Sequence, residues 1–347
     1  MTVIVALLGL ILLIVIHELG HMLTAKALGV RVPEFAVGFG PALVKKKFGK
    51  TVYSFRIILL GGFAKMAGMG DGEVGPDTYH AKPAWRRALI ILAGPAANAV
   101  AAVLILACVY MFQGVVTDVK PVVTEVEPRS TAQQVGIRPG DRIVELDGSP
   151  IESWDGFQRQ MVDREPGEVV GVTVVRDGVQ KTFEGELGSD PQDKQQALLG
   201  VRPEIETTTY GPLKSLGLAV ERCAQITVKL GQFVGQLVTG EKDLYENVTG
   251  PVGITSVGST AVSQGFFLPL LALISLNLAL FNLFPILPLD GGHLFFIAAE
   301  KLLGRPVSEQ TMGKVAAFGL VLVLALFLFA TYADLSKLFT GQPFIPD

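Results

Sequence analysis

Four apolar runs decide most of what this 347-residue chain can be: Val3 to about Leu28, Ala88 to Phe112, Phe266 to about Leu289, and Val315 to Ala333. Each approaches the ~20 residues that an α-helix needs to cross a ~30 Å hydrocarbon core. Hydrophobic residues make up 50% of the chain and lie in blocks rather than scattered, which predicts a polytopic α-helical membrane protein with about four transmembrane helices. The first run lacks a basic leader and a small-residue cleavage site, so it is expected to be retained as a helix.

Between the first two runs, Lys45, Lys46, Lys47, Lys50, Arg56, Lys65, Lys82, Arg86 and Arg87 outweigh Glu34, Asp71, Glu73 and Asp77. The positive-inside rule places that loop in the cytoplasm and residues 113–265 outside it. The formal net charge is -3, and no basic patch interleaved with aromatics occurs, so nucleic acid is not an expected partner.

Val32 to Met66 alternates short β-prone runs with glycines and reads as a membrane-associated β-hairpin region. Asp71 to Lys82, rich in Gly, Pro and Asp, reads as a mobile connection. Outside the membrane, strands are expected at 121–126, 142–146, 169–176, 180–184 and 198–201, with turns at Arg138-Pro139-Gly140-Asp141, Asp147-Gly148 and Asp177-Gly178 and a helix over 154–164. This describes one small β-rich domain, and 213–238 follows as an amphipathic helix. The predicted organisation is a first half of the membrane core (1–112), the β-rich domain (113–205), an amphipathic helical connector (206–265) and a second half of the membrane core (266–347).

His17-Glu18-Leu19-Gly20-His21 closes the first apolar run. Histidines four apart share a helix face and can offer two imidazole nitrogens to one tetrahedral zinc, with Glu18 between them as a base. Ionisable groups are expensive in lipid, which favours a functional reading over a structural one. Zinc needs a third ligand, and Asp290 is the expected one. Pro285, Pro288, Gly291 and Gly292 around it predict that the third span is interrupted where Asp290 turns inward. His293 is a competing ligand or an outer-shell group, but it reads better as a polar residue at the cytoplasmic end of the broken helix. With about 15 residues ahead of His17 at ~1.5 Å each, the site lies ~20 to 24 Å from the outer surface, toward the cytoplasm.

Beyond HELGH (17–21), the chain carries FAVGFGP (35–41), LGGFAKMAG (60–68), GPAAN (94–98), GPVGI (250–254) and NLFPILPLDGGH (282–293). In these it resembles the site-2 protease family of intramembrane zinc metalloproteases, in the bacterial regulatory form with one PDZ domain. TAQQVGIRPGDRIVELDG (131–148) looks like that PDZ module. The resemblance implies that His17, His21 and Asp290 hold one catalytic Zn2+ and that Glu18 is the catalytic base. It places Asn282 and Pro285 near the substrate. Asn98 of the GPxxN motif is read either as a helix-helix hydrogen-bonding group or as a participant in catalysis.

The implied substrate is a single-span membrane protein already cut by another protease. Its second cut, within or near the membrane segment, would belong to regulated intramembrane proteolysis, for example of an anti-sigma factor or a signal-peptide remnant. The implied location is the bacterial cytoplasmic membrane, with the PDZ domain extracytoplasmic and acting as a peptide receptor or a size filter. A helical substrate must unwind to be cut, and residues 56–66, with Gly61 and Gly62, are expected either to pair with it by β-addition or to form an ordinary surface hairpin. The competing readings are a membrane-tethered PDZ scaffold with a structural zinc site and, last, a metal transporter. Glu18 opposes the scaffold, because a closed zinc site needs a fourth ligand and not a base.

Overall fold

The computed structural model of the protein describes residues 2–70, 72–189, 196–241, 250, 252–254, 258, 265–305 and 307–340. Asp71, Pro251 of the GPVGI motif and much of the expected connector (242–249, 255–257, 259–264) lie outside the described residues. The chain divides into two compact units, Met1–Val109 with Pro212–Tyr332, and Tyr110–Gly211 with Ala333–Asp347.

In the first unit, α1 (Thr2–Ala27) leads into strands β1 (Glu34–Phe48) and β2 (Thr51–Lys65), then α2 (Ala84–Phe112). Among the described residues, three helices are long and apolar enough to cross a membrane: Ile4–Ala27, Ala84–Phe112 and Gln310–Thr340. The apolar run expected as a further span over 266–289 is not one helix. α1 and α2 are followed by α3 to α5 in chain order, introduced below, and then by α6 (Phe267–Phe281), whose 15 residues reach only ~22 Å, short of a ~30 Å core. Helix α7 starts anew at Asp290 and ends at Leu303, and α8 (Glu309–Thr340) completes the unit's helices. Proline at 285 and 288 withholds the amides that would continue α6, so the interruption falls where the composition predicts it.

The β1–β2 pair is more folded than a simple hairpin. Residues 44–48 pair with 51–55 around the tip, whereas 34–37 pair with 52–55 on one side and with 62–65 on the other. β2 therefore curls around β1, and its last residues form an edge segment. The connection after β2, expected to be mobile, is pinned instead. The Arg31 amide donates to the Asp77 carbonyl (2.8 Å) and its Nε to Asp77 Oδ2 (2.9 Å), while Tyr79 N–H reaches the Ala67 carbonyl. Thr78 and Tyr79 are buried, the latter in the core that also holds Met22, Phe35 and Ile90. Gly and Pro shape this loop without loosening it.

The second unit is built on an antiparallel sheet of strand order β10-β3-β4-β6-β7, with β5 paired to β4. The strands are β3 (Val115–Val126), β4 (Arg142–Leu146), β5 (Ser149–Pro150), β6 (Val169–Arg176), β7 (Val179–Glu186) and β10 (Val201–Thr208), with a small β8 (Gly188–Ser189) to β9 (Ala197–Leu198) pair beside them. α3 (Thr131–Val135) and α4 (Trp154–Val162) are capped by Ser130 and Ser153, whose side chains accept from the Gln133 and Gly156 amides. Alternate residues Val170, Val172 and Val174 of β6 point into the core with Ile143, Leu146 and Phe157. Both two-residue turns have positive φ at the Asp (50 and 51) and at the Gly (76 and 78), as type I′ hairpins require. β3 and β10 are longer than the sequence indicates, because β3 carries lysine and aspartate on a face that stays exposed. In the first unit, the amphipathic stretch forms α5 (Pro212–Thr239), burying Ser215, Ala219 and Cys223 at four-residue spacing.

The expected turn at 138–141 is tied by an ion pair. Asp141 is 1% exposed, accepts from the Arg138 amide at 2.8 Å, and takes a two-armed contact from Arg176, Nε to Oδ1 and a terminal nitrogen to Oδ2, both 2.7 Å. Burial by itself would push this carboxyl up, but the Arg176 guanidinium and the Arg138 amide overcome it and hold the carboxyl below the usual aspartate range. The stabilisation is therefore complete above the unfolded value of ~3.9 and lost as pH falls through the lower folded value. Asp141→Asn is expected to lower the melting temperature of the second unit by about 5 to 10 °C at pH 7. The difference from wild type should shrink as melts are repeated toward pH 3.

Candidate metal centre

Helix α1 places His17 and His21 one turn apart on the face that meets α2. The crossing is close because small residues line it: a Cβ at Gly20 would lie 2.3 Å from the Ala93 carbonyl oxygen, and one at Gly94 would lie 2.2 Å from His21 Nε2. The His21 ring thus occupies space that any side chain at 94 would need. On its other side, His21 Nδ1 donates to the Ile90 carbonyl at 2.8 Å, which leaves Nε2 with its lone pair free. Pro95 sits within α2 beside this contact.

Asp290 is brought to the same point by a loop folded back on itself. α6 ends at Phe281, the Asn282 carbonyl accepts from the Gly291 amide at 2.7 Å, and Leu287–Pro288 is cis. Gly291 and Gly292 press against backbone: a Cβ would lie 2.2 Å from the Leu283 carbonyl oxygen at 291 and 2.5 Å from the Leu287 nitrogen at 292. Asp290 then stands in the first turn of α7, where the helix dipole favours a carboxylate. Outer contacts hold these helices in place. Arg87 of α2 pairs with Glu300 of α7 at 2.7 Å, Ser275 of α6 donates to the Asn98 carbonyl at 2.8 Å, and Gly319 of α8 lies against the Leu287 carbonyl.

The outcome is a near-equilateral triangle of ligand atoms. His17 Nε2 lies 3.2 Å from His21 Nε2, and Asp290 Oδ2 lies 3.0 and 3.3 Å from the two nitrogens. Bonds of about 2.0 to 2.1 Å to one tetrahedral zinc would set such atoms about 3.3 Å apart. Asp290 Oδ2 is buried and, despite two ring nitrogens nearby, has no hydrogen-bond partner among the described residues. An orphaned buried carboxylate oxygen among imidazole nitrogens is what a cation-binding site looks like without its counter-charge. The residues fit zinc, and these are the residues that the sequence singles out. His293, one turn further along α7, is not in this cluster, and His80 is exposed with its ring against Tyr79.

Glu18 is half-buried beside the triangle, and a Cβ at Gly62 would sit 3.5 Å from its Cγ. The edge segment 62–65 therefore runs past Glu18, with Gly62 and Ala64 turned to the same side. Gly61 precedes it with φ 149, packed under the Phe39 ring. Asn282 and Pro285 belong to the loop that carries Asp290, Asn282 half-buried and Pro285 more open. Sequence reasoning did not single out Ile90 or Gly319, and it met Gly94 only as the first residue of GPAAN, with no contact assigned to it. A glycine four residues from an Asn in an apolar helix was the only visible signal for the Gly94 contact.

Residues 5–326 match the family model described as peptidase family M50. The zinc metalloprotease RasP of Geobacillus kaustophilus is 30% identical over 409 residues, covering 94% of this chain and 96% of its own. A Brucella suis protein carried under a zinc-metalloprotease name is 33% identical over 369 residues, covering 96% and 95%. Among solved structures, a PDZ domain from Listeria monocytogenes is 21% identical and covers 25% of this chain and 86% of its own, at a TM-score of 0.22, too low for a shared fold to be argued.

Gly94→Ala is expected to displace the His21 ring and weaken zinc binding by about 10- to 100-fold in equilibrium dialysis. Gly217→Ala, where a Cβ meets nothing within 4 Å, should bind as wild type does.

Proposed function

With the chain a member of peptidase family M50, the site-2 protease family, and hence a zinc metalloprotease, we propose that it cuts a peptide bond within or near the membrane segment of another membrane protein. His17, His21 and Asp290 hold the zinc in this reading. The observation that carries it is the orphaned Asp290 Oδ2 between two imidazole nitrogens, reached from a helix long enough to span a bilayer.

Zinc bound there supplies Lewis acidity, polarising the scissile carbonyl and acidifying a water. Glu18 takes a proton from that water through its carboxylate and returns it to the leaving amide nitrogen. Segment 62–65 receives the substrate as an extended strand, with backbone groups of Gly62 and Ala64 pairing with it where bulk water cannot. Gly62 lets the strand lie against Glu18, since a Cβ there would sit 3.5 Å from Glu18 Cγ, while Gly61 fits beneath the Phe39 ring. Asn282 and Pro285 line the approach from the Asp290 loop.

The substrates in this reading are single-span proteins already shortened by another protease, in the bacterial cytoplasmic membrane, with the site toward the cytoplasm and the β-rich unit, read as a PDZ domain, outside. The lysine and arginine excess between the first two helices supports that orientation. An open cleft between α4 and the β9–β10 edge, lined by Trp154, Phe157, Met161 and Leu199, suits apolar side chains of an extended peptide.

The test is cleavage of a tagged single-span protein in liposomes by wild type and Glu18→Gln, with zinc measured in both. A rate loss of at least about 10²-fold with full zinc content is expected. Equal rates would remove Glu18 from the reaction.

A further inference from the structure

Asn98 of α2 lies one turn beyond Gly94 and is 1% exposed, with its Nδ2 3.4 Å from His17 Nδ1. The other end of the amide, Oδ1, is buried without a hydrogen-bond partner among the described residues, while the backbone carbonyl is engaged separately by Ser275. Burying a carboxamide with a single polar neighbour is costly, and leucine would fill a similar volume without that cost. The neighbour, His17, is therefore where the reason for the amide must be sought.

His21 shows what is required. Its Nδ1 faces a carbonyl, which can only accept, so the proton sits on Nδ1 and Nε2 keeps its lone pair. His17 needs the same tautomer if its Nε2 is to bind zinc, and among the described residues the hydrogen-bond partner of its Nδ1 is the Asn98 amide rather than a carbonyl. A half-turn of that amide exchanges oxygen and nitrogen in nearly the same volume. With Nδ2 toward the ring, the amide donates to Nδ1 and the ring proton is driven onto Nε2, where it blocks a metal bond. With Oδ1 toward the ring, the amide accepts from Nδ1–H and Nε2 is free.

We propose that Asn98 is a positioning residue whose side-chain oxygen accepts from His17 Nδ1–H and so holds His17 in the tautomer that can bind zinc. It does for His17 what the Ile90 carbonyl does for His21, and it rests on the reading of His17 as a ligand. The link also accounts for an Asn inside an apolar helix without assigning it contact with substrate.

The experiment measures Zn2+ affinity of the full chain in detergent, by competition with a chromogenic chelator, for wild type, Asn98→Leu, Asn98→Asp and His17→Ala. Asn98→Leu is expected to bind about 10- to 100-fold more weakly, while Asn98→Asp, of similar shape and acceptor only, stays near wild type. Packing loss alone cannot give that split. Wild-type affinity in Asn98→Leu overturns the proposal, as does an Asn98→Asp protein no tighter than Asn98→Leu. If His17→Ala binds as tightly as wild type, the ligand reading itself fails, an outcome separate from the other two.

Discussion

Three buried ligand atoms within 3.3 Å of one another are the constraint around which the membrane unit is arranged. The two imidazole nitrogens lie within hydrogen-bond distance of each other, but the buried Asp290 Oδ2 between them has no hydrogen-bond partner among the described residues. The arrangement is sensible only with a cation, and it persists because packing from several helices imposes it. α2 does most of this. Through Gly94 it admits the His21 ring, through Ile90 it sets the tautomer, and through Asn98 and Arg87 it ties down α6 and α7.

The same economy of space governs the strand beside the site. A membrane-embedded protease must bind a chain whose amides are otherwise bonded to one another, so a polar backbone edge has to be available where lipid would penalise it. β2 curls around β1, which pairs 62–65 on one side and brings Gly62 against Glu18, and in the proposed reading this strand meets that need. The bonds that pin the loop after β2 to Arg31 and Ala67 keep that edge near α1. A region whose composition suggests mobility is here part of the scaffold.

Family membership and site are linked by different kinds of observation. The match across residues 5–326 makes the chain a zinc metalloprotease of the site-2 family. The geometry indicates which atoms can take the metal, and why Asp290, standing between two prolines and two glycines, can turn inward at all. A straight helix through 266–289 would leave it on whichever face its period dictated; the break lets the carboxylate meet α1 instead.

Much of this was legible in the chain itself. The apolar blocks, the four-residue histidine spacing and the proline-glycine run at 285–292 predict four spans with the third interrupted and single out His17, His21 and Asp290 as candidate ligands, because each is a local pattern whose physics acts within a turn or two of backbone; the interruption leaves three long apolar helices among the described residues. What tertiary structure alone decided is contact across helices: the fit of Gly94 to His21, the Ile90 carbonyl, the Asn98 amide at His17, Gly319 on the Leu287 carbonyl, and the curl that puts 62–65 beside Glu18. None of these has a sequence period, since the partners are from about 30 to more than 80 residues apart and meet only when small side chains allow two backbones to touch.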